Sequence, residues 1–371
     1  MAENSVEKIS VRIPVIIPAY EPDERLLQLL DSFAAQGISD VILIDDGSGE
    51  AYREIFAKAK EKISLFCGTL LRHEVNRGKG RALKTAFAYV LDHYPDAIGA
   101  VTADSDGQHT VECIRAVMKK LYEEPAALVL GVRAFDGEEV PWKSAFGNGL
   151  TRKVLGYVAG VHVSDTQTGL RGIPRGFMKE LLDVPGERFE FETQMLLAAA
   201  GKYKILEVPI RTIYDSKENH QTHFNPLKDS VRIYRILGAR FFKYIAASLS
   251  SSIIDLVLFT LFCYILKGNM QKLPGVLGGI PYVAAATVLA RILSATYNFL
   301  VNYRVVFRSD EKMGRSAVRY VLLAVIQMCL SAVLVTGAVY LLKAVPEVVI
   351  KAVIDTILFL ISYYVQRKYV F

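Results

Sequence analysis

The chain has 371 residues, 52% of them hydrophobic and 22% charged, with a formal net charge of +6. That composition excludes a disordered, a collagen-like or a disulfide-stapled protein. Hydropathy is uneven: apolar runs alternate with charge clusters up to about Arg240, and long apolar runs dominate beyond it, which predicts a soluble front half and a membrane back half. Cys67, Cys113, Cys263 and Cys329 lack the spacing of a disulfide frame or a zinc site. With no signal-peptide apolar core in Met1 to Arg12, the front half is expected in a reducing cytoplasm.

Apolar strands are predicted at Val11 to Ile17, Val41 to Ile44, Ser64 to Leu71, Ile98 to Thr102 and Ala127 to Val132, with helical patterns between them at Glu24 to Ala35 and Arg81 to Leu91. The alternation implies a parallel, helix-covered sheet. Ligands of such sheets bind beyond the carboxyl ends of the strands. There the sequence sets Pro18-Ala19-Tyr20-Glu21, Asp45-Asp46-Gly47-Ser48, Asn76-Arg77-Gly78-Lys79-Gly80 and Asp104-Ser105-Asp106-Gly107-Gln108. Each alone is ordinary turn chemistry; four together mark one crevice. Arg77 to Arg81 does not fit a Walker loop, and no GxGxxG follows the first strand. From Asp104, His109 and Arg115 occupy the EF-hand positions for Gly and Glu. What remains is a pair of carboxylates two residues apart. In extended backbone Asp104 and Asp106 share a face, and Gln108 adds a third oxygen, a donor set suited to Mg2+ or Mn2+. An Asp-rich turn capping the next helix at Thr110 would explain one aspartate but not both.

Further along, Glu187-Arg188-Phe189-Glu190-Phe191-Glu192 precedes a helical pattern at Thr193 to Ala200. It either closes a pocket or places acids at a helix start. From Pro226 to Lys243, Leu227, Val231, Tyr234, Leu237 and Phe241 recur at helical spacing among Lys228, Arg232, Arg235 and Arg240. That is the composition of an interfacial helix, or of an ordinary amphipathic helix packed on the sheet. Four stretches then have roughly the 20 residues needed to cross a bilayer: Tyr244 to Leu266, Pro281 to Val301, Tyr320 to Leu342 and Val348 to Val365. Basic residues gather between spans two and three and after span four, so both termini are expected on the cytoplasmic side. Phe242-Lys243-Tyr244-Ile245 reappears as Val318-Arg319-Tyr320-Val321, and Asn302 to Phe307 lines up with Gln366 to Phe371. The unit is therefore read as a two-helix hairpin used twice. Asp255, Arg291 and Asp355 fall within spans, where an unpaired charge costs roughly 2.5–3.5 kcal/mol. They are expected to face one another or a polar cavity, as an ion pair or in moving a polar headgroup.

The crevice motifs, together with Asp165-Thr166-Gln167-Thr168-Gly169-Leu170-Arg171, resemble the successive motifs of family 2 glycosyltransferases from about Val11 to Tyr234. The nearest branch is the dolichyl- or polyprenyl-phosphate mannose and glucose synthases. The membrane half is similar to the GtrA family, four-helix proteins associated with moving polyprenyl-linked sugars. The resemblance implies an α/β fold, a GT-A (Rossmann-like) mixed sheet with helices on both faces, over 1–225. An interfacial helix over 226–243 and an all-α four-helix transmembrane domain over 244–371 would follow. It also implies that Pro18, Tyr20, Glu21 and Asp46 hold the nucleotide with Lys79 nearby. Asp104, Asp106 and Gln108 would surround the metal and diphosphate, and Arg133 and Arg171 would meet the acceptor phosphate; His223, in the polar loop Asn219 to Asn225, is either a contact to the diphosphate or acceptor phosphate or a solvated side chain. Thr168 stands where Ser is common, and Ser105 and Gly107 where Ala and Leu are; neither departure removes a ligand. The QxxRW of processive synthases is missing, the single tryptophan being Trp142, so transfer of one sugar is expected.

A lipid monophosphate, whose second pKa is near 6, attacks without a protein base, and arginine forks suit its oxygens. The expected activity is inverting transfer of one hexose from GDP-mannose or UDP-glucose to polyprenyl or dolichyl phosphate. It would take place at the cytoplasmic face of the cell membrane, with no nucleic-acid partner and with a homo-oligomer allowed. The alternative is a transporter that flips the product, with the front half delivering it.

Overall fold

In the computed structural model, which describes residues 12–133, 142–210, 228–269, 282–309, 311–342 and 345–371, the apolar runs of the front half form strands with helices between them. In chain order these are β1 (Val15–Ala19), α1 (Glu24–Gln36), β2 (Val41–Asp45), α2 (Arg53–Ser64), β3 (Thr69–Arg72), α3 (Lys79–His93) and β4 (Gly99–Thr102). There follow α4 (Val111–Glu123), β5 (Leu128–Arg133), α5 (Trp142–Ala159), β6 (Arg171–Pro174), α6 (Arg175–Leu181), α7 (Glu190–Ala199) and β7 (Ile205–Ile210). The helix ends are chemically marked. Asp23 caps α1 by accepting from the Arg25 amide, Gly37 ends it at φ 69°, and the Thr110 hydroxyl caps α4 by accepting from the Cys113 amide. Capping of α4 thus makes no demand on Asp104 or Asp106.

The strands form one sheet in the order β3-β2-β1-β4-β6-β5-β7. All pairings are parallel except those of β6, which runs antiparallel to both β4 and β5. The alternation of strand and helix predicts a wholly parallel sheet; the return of residues 171–174 makes it mixed, as the family resemblance implies. Side chains alternate across the sheet. Val15, Ile17, Val41, Leu43 and Val101 pack with α1, α2 and α4 in one core cluster. On the other face α3 lies against β1 and β2, with α6 and α7 against α3. The strand expected from Ser64 starts only at Thr69. Phe56, Ala59 and Ile63 recur at helical spacing and are buried, which carries α2 through Ser64. Val11 lies outside the described residues.

The chain divides between Ile236 and Leu237 into two compact units. The second contains most of α8 (Lys228–Asn269), then α9 (Tyr282–Val301), α10 (Met313–Leu341) and α11 (Glu347–Val365). Among the described residues three segments, Val231–Leu266, Met313–Leu341 and Val349–Val370, are long and apolar enough to cross a bilayer. The fourth expected span is present as the 20-residue helix α9. The segment expected as a separate interfacial helix does not end before the first span. Without a proline to break it, α8 runs unbroken for 42 residues.

Within the second unit the repeat is visible in atomic detail. Each hairpin ends in a π-helical turn, Asn302–Val306 and Gln366–Val370, closed by the same bond, Phe307 N–H to Asn302 C=O and Phe371 N–H to Gln366 C=O, both 2.9 Å. Across the hairpins Asn302 Nδ2 donates to Gln366 Oε1 at 3.3 Å, Gln366 Nε2 to Tyr244 Oη at 3.2 Å, and Asn298 Nδ2 to Tyr320 Oη at 3.0 Å. Of the three charges expected to face one another or a polar cavity, two pair with each other and the third finds other partners. Arg291 lies 3.3 Å from Asp255, which also accepts from Ser294. Asp355 accepts from Ser331 at 2.6 Å and from Lys351 at 2.7 Å. In register, Asp255 corresponds to Ser331 and Arg291 to Asp355, so each hairpin ties the same two positions together with different chemistry.

Interhelical side-chain hydrogen bonds in membranes average about 0.6 kcal/mol and reach about 1.7. Gln366, buried between Asn302 and Tyr244, is expected at the upper end. In a double-mutant cycle of Gln366→Leu and Asn302→Leu, unfolding in mixed detergent is expected to show coupling of about 1 kcal/mol or more; additive losses would mean that the two amides act independently.

Candidate active site

The loops beyond the carboxyl ends of β1, β2 and β3 are locked to one another. Glu21, at φ 49°, donates its amide to Ser48 Oγ at 2.8 Å, and the Ser48 amide donates to Asp45 Oδ1 at 2.8 Å. Gly47, at φ 74°, sits against the next loop so closely that a Cβ would lie 2.2 Å from the Val75 carbonyl carbon. Asp46 is 2% exposed. Its carboxylate accepts from the Gly78 amide at 2.7 Å, the Arg77 amide at 3.1 Å and His73 Nδ1 at 2.7 Å. Asp46 therefore holds the loop that leads into α3. Pro18 is buried in β1, and Tyr20 is half-buried beside Glu21, whose hydrogen bond, reinforced by burial, raises the phenol pKa above its ordinary value.

The centre of the cluster is Lys79, the first residue of α3. Its Nζ lies 2.6 Å from Asp104 Oδ1 and 2.9 Å from Glu192 Oε1. Burial works against this ammonium, but the two carboxylates outweigh it and hold its pKa above the ordinary lysine value. Burial likewise opposes the charge on Asp104, and Lys79 with His109, whose Nε2 is 3.7 Å from Oδ2, holds the carboxyl well below its usual range. The antiparallel β6 makes this place. Thr102 pairs with Arg171 and donates to the Gly169 carbonyl at 2.7 Å, so Asp104, two residues on, comes opposite Gly169. A Cβ on Gly169 would lie 2.1 Å from Asp104 Oδ2, so any side chain there would push the carboxylate from its place.

Between Asp104 and Asp106 the chain leaves the extended conformation and turns, with Gly107 at φ 75°. The carboxylates are neighbours through this turn, not through strand alternation. Asp106 accepts from the Gln108 amide at 3.1 Å. Burial and then the charge of Asp104 push its pKa up, the signature of two like charges sharing a desolvated place. No group of three His, Cys, Asp or Glu side chains poised for a metal occurs among the described residues. Mg2+ commonly uses one or two carboxylates and completes its shell with water and substrate phosphate. The donor set of Asp104, Asp106 and Gln108 fits that mode.

The two arginines have different surroundings. Arg133, at the end of β5, forms a fork with Asp165, Nε to Oδ2 at 2.6 Å and Nη2 to Oδ1 at 3.1 Å. Arg171 is 1% exposed and donates to the carbonyls of Thr168 at 2.8 Å, Glu192 at 2.8 Å and Thr166 at 3.4 Å. Its guanidinium binds the 166–168 loop to the start of α7. Thr168 donates its hydroxyl to the Gly131 carbonyl, a bond Ser makes equally well. His223 lies outside the described residues.

Glu192, Glu187 and Gly169 were not singled out as site residues by sequence. Glu187 pairs with Arg81 and with Lys84, the latter at 3.2 Å. Cβ atoms on Gly78 and Gly80 would lie 2.4 Å from the Glu187 carbonyl and 2.6 Å from Phe191 Cβ, so two glycines let this acidic segment lie on the start of α3. The available signal was the density of acids ahead of α7, which both pocket closure and a helix start explain equally. Gly169→Ala is expected to displace the Asp104 carboxylate and to weaken Mn2+ binding about tenfold or more, as loss of a supporting contact does at metal sites, read by titrating the detergent-solubilised chain with Mn2+ under paramagnetic resonance. Wild-type affinity would show that the carboxylate has room to move.

Two family models match the chain: glycosyl transferase family 2 over residues 15–182 and the GtrA/DPMS transmembrane domain over residues 243–371. An uncharacterised protein of Methanocaldococcus jannaschii is 31% identical over 54% of this chain and 81% of its own length. The UDP-N-acetylglucosamine–dolichyl-phosphate N-acetylglucosaminyltransferase of Methanococcus voltae is 27% identical, over 54% of this chain and 86% of its own. The dolichyl-phosphate beta-glucosyltransferase of Saccharomyces cerevisiae is 26% identical, over 53% and 66%. Among solved structures, glucosyl-3-phosphoglycerate synthase from Mycobacterium tuberculosis, in complex with Mn2+, UDP and glucosyl-3-phosphoglycerate, is 19% identical, covering 62% of this chain and 80% of that one with a TM-score of 0.47. With both models falling in order on the two units seen in the fold, the chain belongs to glycosyltransferase family 2 and carries a GtrA/DPMS transmembrane domain behind its catalytic one.

Proposed function

We propose that the protein transfers one hexose from a nucleotide sugar to a polyprenyl or dolichyl phosphate at the cytoplasmic face of the cell membrane, with inversion at the anomeric carbon. The observation that carries this reading is the half-buried constellation of Asp104, Asp106 and Lys79 against the Gly169 backbone, at the strand ends of a family 2 domain joined to a membrane unit. The named relatives act on dolichyl phosphate, which supports the choice of acceptor.

Pro18, Tyr20, Glu21 and Asp46 form the nucleotide side. Asp46 acts by fixing the 73–78 loop, and the peptide beyond β1 lines the nucleotide. Asp104, Asp106 and Gln108 would hold Mg2+ or Mn2+. When bound, that ion neutralises charge on the departing diphosphate. Lys79, held between two carboxylates, keeps a fixed positive charge facing the same place. Arg133 is assigned to the acceptor phosphate as a fixed positive charge whose guanidinium Asp165 grips along its Nε and Nη2 side, and His223 is assigned to the same phosphate. Arg171 is a positioning residue that sets the 166–169 loop under Asp104. An acceptor oxygen forms its bond to the anomeric carbon as the bond to the nucleoside diphosphate breaks, and the bonding pair leaves with the diphosphate. The acceptor is already anionic above about pH 6, so no side chain needs to remove a proton.

Membranes bearing Asp104→Asn or Asp106→Asn are expected to lose transfer by about 100-fold or more, the scale of removing one preorganised electrostatic partner. The assay crosses UDP- and GDP-sugars with polyprenyl phosphates, with and without Mg2+ or Mn2+. Unchanged turnover in both variants would take these residues out of the mechanism. Arg133→Lys keeps the charge but loses the fork, and is expected to raise the acceptor KM about tenfold, the low end for a charged hydrogen bond, with the donor KM unchanged. An effect on the donor KM alone would reassign Arg133 to the nucleotide.

A further inference from the structure

Asp104 is asked to serve two cations. It is assigned to the divalent ion, yet its Oδ1 lies 2.6 Å from Lys79 Nζ. The other oxygen is no open alternative. Oδ2 is 3.7 Å from His109 Nε2, and the Gly169 backbone is packed so near that a Cβ there would stand 2.1 Å away. Mg2+ binds oxygen at about 2.1 Å, so an ion on Oδ1 and the ammonium 2.6 Å from the same atom would be less than about 5 Å apart. In a partly desolvated place that repulsion is strong. The lysine therefore competes with the ion for Asp104 unless its charge has another partner.

Glu192 supplies one. Its Oε1 is 2.9 Å from the same Nζ, and its side chain is 9% exposed against 29% for Asp104, so it is the less accessible of the two to an incoming ion. The residue is held from behind, its carbonyl accepting from Arg171 Nη1 at 2.8 Å, with Phe191 and Thr193 buried on either side of it. The Phe189 ring, 6.0 Å from Nζ, closes a further side. A lysine ammonium is a point charge with three rotatable donors on a flexible stem. Because both carboxylates are already within its reach, its charge passes from one to the other by small side-chain torsions, with no backbone movement. The charge count agrees. With the carboxyls ionised, Asp104, Asp106 and Glu192 against Lys79 leave two negative charges, the number that one divalent ion neutralises.

We infer that Glu192 is a positioning residue for the ion: it takes up the charge of Lys79 as the ion takes Asp104, and so sets the affinity for Mg2+ or Mn2+ without touching the ion. The inference rests on the assignment of Asp104 and Asp106 to the ion made above, and is independent of which sugar or lipid is used.

The test reads Mn2+ binding to the full detergent-solubilised chain by paramagnetic resonance, without nucleotide sugar, so turnover does not enter. Glu192→Gln leaves Lys79 with Asp104 as its anionic partner and is expected to weaken Mn2+ binding about tenfold, the low end for loss of a supporting contact. Lys79→Gln removes the competing charge and is expected to tighten binding, also about tenfold. In the double variant Glu192→Gln has nothing left to act through, and the affinity is expected to equal that of Lys79→Gln alone. A further tenfold loss in the double variant would make Glu192 a ligand of the ion and overturn the proposal. Unchanged affinity in Glu192→Gln would overturn it too, as would weaker binding in Lys79→Gln, which would mean that the lysine shapes the site and does not compete for it. Should Lys79→Gln elute as an aggregate, Lys79→Arg takes its place. A guanidinium fork grips Asp104 more firmly and is expected to weaken Mn2+ binding; equal or tighter binding overturns the proposal. The transfer reading fails separately. The expected Mn2+ pattern in a wild-type chain that transfers no sugar would sink transfer alone, transfer without the pattern would sink this inference alone, and a wild-type chain that binds no Mn2+ would sink the ion assignment and this inference together.

Discussion

Asp104 keeps its negative charge in a place where burial opposes it, because Lys79 lies 2.6 Å away and Glu192 shares that lysine. Much of the front unit follows from keeping these three groups together. Lys79 must open α3 at the carboxyl edge of the sheet, and Asp46 sees to this by binding the amides of Arg77 and Gly78. Glu192 must approach from α7, which the glycines at 78 and 80 permit by letting the acidic segment lie on the helix start. A buried charge with one partner removed is costly. The cluster is thus a unit in which each member fixes the state of the others.

The parts of the fold legible in the sequence are those where local pattern and tertiary burial agree. β1, β2, β4 and β5 are aliphatic runs, and α1 and α3 carry apolar stripes; their positions follow from periodicity. β6 is four residues, Arg-Gly-Ile-Pro, too short and too mixed to signal a strand, and its direction depends on where the chain has been before. The alternation rule fails at that point. α2 was obscured because Ile63, Leu65 and Phe66 form an apolar run that reads as a strand start, while Phe56 and Ala59 show the helical period only when the window is extended backwards.

Legibility of the site divides in the same way. Asp104, Asp106 and Lys79 stand in polar clusters just past apolar runs, so their neighbourhood can be inferred one strand at a time. Gly169 gains its meaning only when β6 returns beside β4, and Glu192 only when α7 crosses above α3. Arg171 shows the limit of reading residue type without burial. A guanidinium in a glycine-flanked loop suggests an open phosphate clamp, yet its donors reach three backbone carbonyls in the interior. In the membrane unit the repeat was visible from its two ends, whereas the hydrogen bonds between the hairpins required the helices to be placed.

Insertion of β6 between β4 and β5 also sets the order of assembly on the ribosome. The second neighbour of β4 is made only when residue 171 follows, and β5, made some forty residues earlier, connects to the β1–β4 part of the sheet only through it. Synthesis at about 5–20 residues per second leaves β4 without that neighbour for seconds, in a nascent chain whose remaining segments are bound for the bilayer. The same strand that brings a glycine backbone up to Asp104 is thus the one that joins the two parts of the sheet, so the geometry of the catalytic pocket and the continuity of the sheet depend on the same four residues.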